Sequence, residues 1–214
     1  EDLRCICEEV VMRNQVIDGM VRIYVTRGMS NIGLSGKHLG RPTIIAVAQP
    51  RKFGEQGTPL RLIIAGTRVE DLRLTSVKSA NRLPYVLAKQ EAELRSVDDA
   101  ILLNSAGHAV ELSASNLFVY QNGRLQTPPL QDGVLPGITR AVVLMLAAQV
   151  GIDAVEASLS ADDLLHAEEA FATNSLFEIS PIIMVEGHEM IGRRIASRLQ
   201  EAFRQHVREE LHLS

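Results

Sequence analysis

Several short stretches carry side chains whose types and spacing suit chemistry. Lys78 stands in Ser-Val-Lys-Ser-Ala-Asn-Arg-Leu, where a polar loop runs into a helix. A lysine that loses water in a cleft has its pKa lowered and becomes a Schiff-base nucleophile; on an open loop it is only a solvated cation. Glu111 follows Ala109-Val110 and precedes Leu112-Ser-Ala-Ser-Asn-Leu-Phe118. Strand alternation sets it opposite Val110. It is then either an exposed strand carboxylate or a group that holds the proton of a pyridinium ring and keeps that ring electron-accepting. Val134-Leu-Pro-Gly-Ile-Thr-Arg140 is a Pro-Gly turn that runs straight into a helix. Free N–H groups of Ile138 and Thr139 at the positive end of that helix suit an anion, phosphate above all; the alternative is a plain helix start. Thr173-Asn174-Ser175 closes a strand with two hydroxyls and an amide, either hydrogen-bonding groups for a phosphate or substrate, or a simple turn. Arg27 ends Tyr24-Val-Thr-Arg27 before a glycine-rich loop, as a carboxylate clamp or a surface ion-pair partner.

Other chemistries find no pattern. The six histidines are scattered among polar neighbours, and none pairs with a Ser or Cys in a nucleophile motif. Glycine-rich phosphate and dinucleotide fingerprints are absent. The two cysteines, Cys5 and Cys7, are one residue apart, so they can neither staple a fold nor close a zinc site. A net charge of −4 over 214 residues gives no electrostatic reason for a nucleic acid or an anionic membrane as partner. No apolar run has the roughly 18 residues of a membrane span, and no signal peptide is visible. A reduced, cytoplasmic setting is expected.

The elements that must hold these groups are legible in outline. Leu3, Ile6, Val10 and Val11 recur at helical spacing. Residues 21–26, 43–48 and 60–65 read as β-branched strands. Residues 81–96 form a helix, followed by short strands at 100–103, 109–111 and 117–120 with hairpin-type turns between them. A second helix starts at Gly137 and runs to Gly151. Then come a strand at 155–159, an N-cap at Ser160, strands at 170–174 and 182–185, and a charged helix at 191–211. The interleaving shows no tidy βαβ alternation, so the expected class is mixed α/β, or α+β. The strands before about residue 66 and those after 100 are expected in two different sheets.

Taken in order, Lys78 to Ala92, Asp99 to Leu103, Val110 to Phe118, Leu125 to Pro129, Gly133 to Arg140 and Ala167 to Ser175 closely resemble the class IV pyridoxal-phosphate aminotransferase family. That family holds branched-chain and D-amino-acid aminotransferases and aminodeoxychorismate lyase. The resemblance spans Val21 to about Ile195. It implies two α/β subdomains, here residues 1–76 and 77–214, with pyridoxal 5'-phosphate in the cleft between them and a homodimer as the usual assembly. It also implies residue roles. Lys78 matches the Schiff-base lysine that shuttles the proton. Glu111 matches the glutamate on the pyridine nitrogen. Leu135, Gly137, Ile138 and Thr139 match the phosphate turn, which Asn174 and Ser175 complete. Arg27 and Arg82 fall where substrate is met.

Departures bear on the reaction. Glu111-Leu112 stands where many transaminases have Glu-Gly, and Arg82 where branched-chain enzymes have Tyr. Asn81-Arg82-Leu83 and Thr173-Asn-Ser-Leu176 look more like the lyase; Lys78-Ser and Val25-Thr-Arg-Gly look more like the D-amino-acid enzyme. The expected reaction is therefore pyruvate elimination from 4-amino-4-deoxychorismate to give 4-aminobenzoate. The alternative is amino transfer between an amino acid and 2-oxoglutarate, and a non-catalytic relative of the family is a remote third. The opening Glu-Asp-Leu-Arg-Cys-Ile-Cys reads as the middle of a helix with no cap before it. Family members usually carry further residues ahead of this point, including the arginine that clamps the cofactor phosphate. The chain is accordingly expected to be incomplete and to bind its cofactor weakly.

Overall fold

The computed structural model describes residues 2–29, 40–50, 57–69, 75 and 77–212. The chain forms two compact units, Glu1–Gly54 and Glu55–Ser214. The first holds helix α1 (Leu3–Arg13) and an antiparallel pair, β1 (Gly19–Val25) and β2 (Ile44–Pro50), in register from Gly19 opposite Pro50 to Val25 opposite Ile44. Contrary to the sequence reading, α1 has a cap: the Asp2 carboxylate accepts the Arg4 N–H at 3.0 Å. The glycine-rich loop at 30–39 and the turn at 51–56 lie outside the described residues.

The second unit is built on one mixed sheet. Its strands are β3 (Leu60–Val69), β4 (Asp99–Asn104), β5 (His108–Leu112), β6 (Asn116–Gln121), β7 (Arg124–Thr127), β8 (Ala154–Glu156), β9 (Leu159–Ser160), β10 (Glu169–Asn174), β11 (Glu178–Val185) and β12 (His188–Glu189). The helices are α2 (Leu83–Leu94), α3 (Ile138–Gln149), α4 (Ala161–Leu165) and α5 (Arg194–Glu210). The pairings β6–β10–β11–β3–β4–β5 return to β6, so six strands close into a ring. Closure rests on the pair Glu111–Asn116 between β5 and β6. β3 lies parallel to both β4 and β11, and α2 makes the crossover from β3 to β4. Among the described residues there are two sheets, as expected, but β3 joins the strands that follow residue 100 rather than those before it. The border between the compact units accordingly falls after Gly54, whereas the expected border lies after residue 76.

Alternation explains the core. Leu117 and Val119 of β6 pack with Leu112, Ala170, Ala172 and Ile182 on one side of the sheet. Phe118 points the other way and stacks on its cross-strand partner Phe171 with ring centroids 5.0 Å apart. The two rings join Val143 and Leu146 of α3 with Leu199 and Phe203 of α5. Burying Phe118 and Phe171 completely contributes about 2–3 kcal/mol each. On the crossover, Ala88 and Ala92 seat α2 against Ile63, Ala65 and Leu102.

The start of α5 is fixed by one buried acid. Glu169 accepts the N–H groups of Arg194 at 3.0 Å, Ile195 at 2.8 Å and Ala196 at 3.4 Å. It thus satisfies donors that a helix terminus otherwise leaves open. α4 begins with a capping box between Ser160 and Asp163.

Candidate active site

A cavity of about 360 Å³ opens in the second unit. Lys78 and Arg82 reach it from the connection into α2. Glu111 comes from β5, and Ser115 and Asn116 from the turn into β6. Leu135 to Thr139 form the entry to α3, and Thr173 to Ser175 the end of β10. Every site residue expected from this half of the sequence therefore lines one space. Arg27 is exposed just past the end of β1, in the first unit.

Glu111 is no surface carboxylate: it is 4% exposed. Its Oε1 accepts the Tyr85 hydroxyl at 2.9 Å. Its Oε2 accepts the Asn116 amide at 3.1 Å and the Leu135 N–H at 3.3 Å. Burial pushes the carboxyl pKa up to about 7, against the opposing pull of the Tyr85 and Leu135 hydrogen bonds and the charges of Arg82 and Lys78. A buried acid poised near neutrality beside a cavity is ready to exchange a proton or to meet a cation. Burial and the neighbouring Glu111 also raise the Tyr85 pKa, so its hydroxyl stays neutral and donates.

The opposite wall is an anion seat. Gly137 caps α3 and offers no side chain to its N–H groups, which leaves them open at the positive end of a 12-residue helix. Asn116 makes glycine necessary here, because a Cβ at Gly137 would lie 2.0 Å from Asn116 Oδ1. Ile138 is 84% exposed at the mouth, while Thr139 is buried. Two buried hydroxyls that line the cavity, Ser115 Oγ and Thr173 Oγ1, have no hydrogen-bond partner among the described residues. Buried hydroxyls are costly to leave unpaired, so both call for a ligand oxygen. Asn174 ties the end of β10 to the β5–β6 turn. Its amide donates to Ala114 O at 3.3 Å, and its Oδ1 accepts Leu176 N at 2.9 Å and Phe177 N at 3.0 Å. Ser175 and Lys78 stand exposed at the edge.

Arg82 turns to the protein. Its guanidinium donates to Ser113 O at 2.6 Å and lies 4.2 Å over the Tyr85 ring. Tyr85 and Asn116 escaped notice in the sequence as partners of Glu111. The signal for Tyr85 was its i, i+3 spacing from Arg82 at the start of a helix. Asn116 gave none until the β5–β6 pairing was known.

The family model for amino-transferase class IV matches residues 1–185. The chain belongs to this family. A Methanocaldococcus jannaschii protein named "Putative branched-chain-amino-acid aminotransferase" is 37% identical over 95% of this chain and 73% of its own length. A D-alanine aminotransferase of Listeria monocytogenes is 32% identical over 95% of this chain and 72% of its own. Among solved structures, the branched-chain aminotransferase of Thermoproteus uzoniensis superimposes with a TM-score of 0.87 at 31% identity, over 95% of this chain and 69% of that one. A Legionella pneumophila protein named "Putative 4-amino-4-deoxychorismate lyase" superimposes at 0.82 with 28% identity, over 92% and 73%. Another branched-chain amino acid aminotransferase, solved with pyridoxamine 5'-phosphate, superimposes at 0.86 with 25% identity, over 95% and 70%.

As a class IV aminotransferase the chain is a pyridoxal-phosphate enzyme, and the cavity fits that cofactor. Open helix N–H groups and two unclaimed hydroxyls suit a phosphate, and a buried acid facing the same space suits a protonated ring nitrogen. Among the described residues, no helix is long and apolar enough to cross a membrane, and no cluster of acidic, His and Cys side chains could hold a metal.

Proposed function

We propose that the protein transfers an amino group from an amino acid to a 2-oxo acid such as 2-oxoglutarate. The observation that carries the chemistry is the joint placement of Lys78 and the buried Glu111 on one cavity. The choice of reaction is supported by relatives and structural neighbours named for amino transfer. This replaces the lyase as first choice, since the lyase likeness is carried by a structural neighbour at 28% identity.

When bound, the cofactor supplies a ring that accepts electrons released at the substrate Cα. The chain's own groups do the rest. The N–H groups of Ile138 and Thr139 hold the phosphate, with Ser115 and Thr173 as further donors. Asn174 keeps the end of β10 in place, and Ser175 adds a hydroxyl at the rim. Glu111 holds a proton at the ring nitrogen. Lys78 anchors the cofactor and moves a proton at Nζ. Leu112 and Leu135 exclude water beside the acid.

The Asn81-Arg82-Leu83 run and the Legionella likeness favour a second reading, pyruvate elimination from 4-amino-4-deoxychorismate. Two incubations separate them. Amino acids with 2-oxoglutarate should yield glutamate and a new 2-oxo acid. Aminodeoxychorismate alone should yield no pyruvate or 4-aminobenzoate. Turnover of the second mixture without the first refutes the transaminase. We also propose a homodimer in the cytoplasm. Support for the dimer is the stripe of Leu83, Val86, Leu87 and Leu94 left exposed on α2.

A further inference from the structure

We propose that Tyr85, braced by Arg82, is a positioning residue that holds the Glu111 carboxylate as an acceptor and thereby keeps the shared proton on the cofactor ring. The proposal rests on the reading that Glu111 faces the ring nitrogen.

Three contacts form a closed circuit. Tyr85 Oη donates to Glu111 Oε1 at 2.9 Å. The Arg82 guanidinium lies 4.2 Å over the Tyr85 ring. Arg82 Nη2 donates at 2.6 Å to the carbonyl of Ser113, two residues beyond Glu111 in the same hairpin. The start of α2 is thus clamped to the β5–β6 turn, and the clamp's polar tip ends on the carboxylate. Tyr85 sits behind Glu111 rather than on the main cavity.

A proton between a ring nitrogen and a carboxylate has two resting places. Every hydrogen bond donated to the carboxylate stabilises its charged form, and so favours the proton on nitrogen. Asn116 and Leu135 serve Oε2, and Tyr85 serves Oε1. Arg82 adds positive charge that pulls in the same direction. A neutral ring is a poorer electron sink than a cationic one. Tyr85→Phe removes one oxygen and leaves the ring packed beneath Arg82.

The test uses the holoprotein loaded with cofactor carrying nitrogen-15 in the ring. The nitrogen resonance is read for the wild type, Tyr85→Phe, Arg82→Gln and Glu111→Gln. Wild type should show a protonated ring and Glu111→Gln an unprotonated one. Tyr85→Phe should move part of the way towards Glu111→Gln, with cofactor binding roughly tenfold weaker. Arg82→Gln should move the same way by less. A purely structural role for Tyr85 would alter stability without moving the nitrogen. If Glu111→Gln moves the resonance while Tyr85→Phe and Arg82→Gln match the wild type, the proposal is overturned and the reading of Glu111 stands. If Glu111→Gln also matches the wild type, the reading of Glu111 falls and takes the proposal with it. Should Tyr85→Phe fail to fold, Arg82→Gln carries the same comparison.

Discussion

Asn116 faces Glu111 across the strand pair that closes the ring, and its amide donates to Glu111 Oε2 at 3.1 Å and to Leu135 O at 3.0 Å. One side chain thus joins the buried acid to the turn that leads into α3. The two ends of the cavity are held at a fixed separation by the same residue that shuts the sheet.

Gly137 is the sensitive point of that link. Its φ of −69° suits any residue, so the demand for glycine is steric: an added methyl would strike Asn116 Oδ1. Gly137→Ala is expected to destabilise the fold by about 1–3 kcal/mol. It should also weaken cofactor binding more than tenfold, because Asn116 must leave Glu111 or Leu135. Thermal unfolding and a cofactor titration check this; an unchanged titration would detach Asn116 from the site.

Glu111 should make the cofactor-free protein's stability depend on pH. Its folded pKa of about 7 lies above the ordinary 4.5. The folded state therefore keeps a proton that the unfolded state releases. The contribution is fully present below about pH 4.5 and is lost as pH rises to about 7. It amounts to about 3 kcal/mol at most. Denaturant unfolding at steps from pH 4.5 to 8 should show this decline, and Glu111→Gln should flatten it. Identical slopes for the two proteins would mean that Glu111 titrates normally.

Much of the site was legible because its residues come in short contiguous runs. Lys78, Val134 to Arg140 and Thr173 to Ser175 each carry a local signal of loop, helix start or strand end, and the cavity collects all three. The Glu111 carboxylate was ambiguous because exposure is not a local property. Alternation gave its side of the strand, but ring closure by β6 buries it. Tyr85 was hidden for the same reason, since it stands on a helix and its partner lies 26 residues away on strand β5. In the fold, β3 was recognised as a strand but joined the other sheet, because the register of a crossover pair is set by tertiary packing. β7 and β12 were missed: β7 is four residues long and polar on one face, and β12 is two residues, both polar and exposed.

Glu169 separates stability from function. Its carboxylate serves three N–H groups of α5 and is 5% exposed. Glu169→Ala should cost about 1–3 kcal/mol of stability, through lost capping of a buried helix end. Cofactor affinity per folded molecule should stay the same. Chemical denaturation and a titration at low temperature test both halves; a loss of affinity without a loss of stability would contradict this assignment.

The account depends most on Lys78 being the residue that holds the cofactor. The sequence contains four lysines, Lys37, Lys52, Lys78 and Lys89, so the site of attachment can be read without ambiguity. The protein should be loaded with pyridoxal 5'-phosphate, reduced with borohydride, digested and mapped by mass spectrometry. The account predicts the added phosphopyridoxyl mass on the Lys78 peptide alone, and its loss in Lys78→Ala. A label spread over the other lysines, or undiminished in Lys78→Ala, would contradict it.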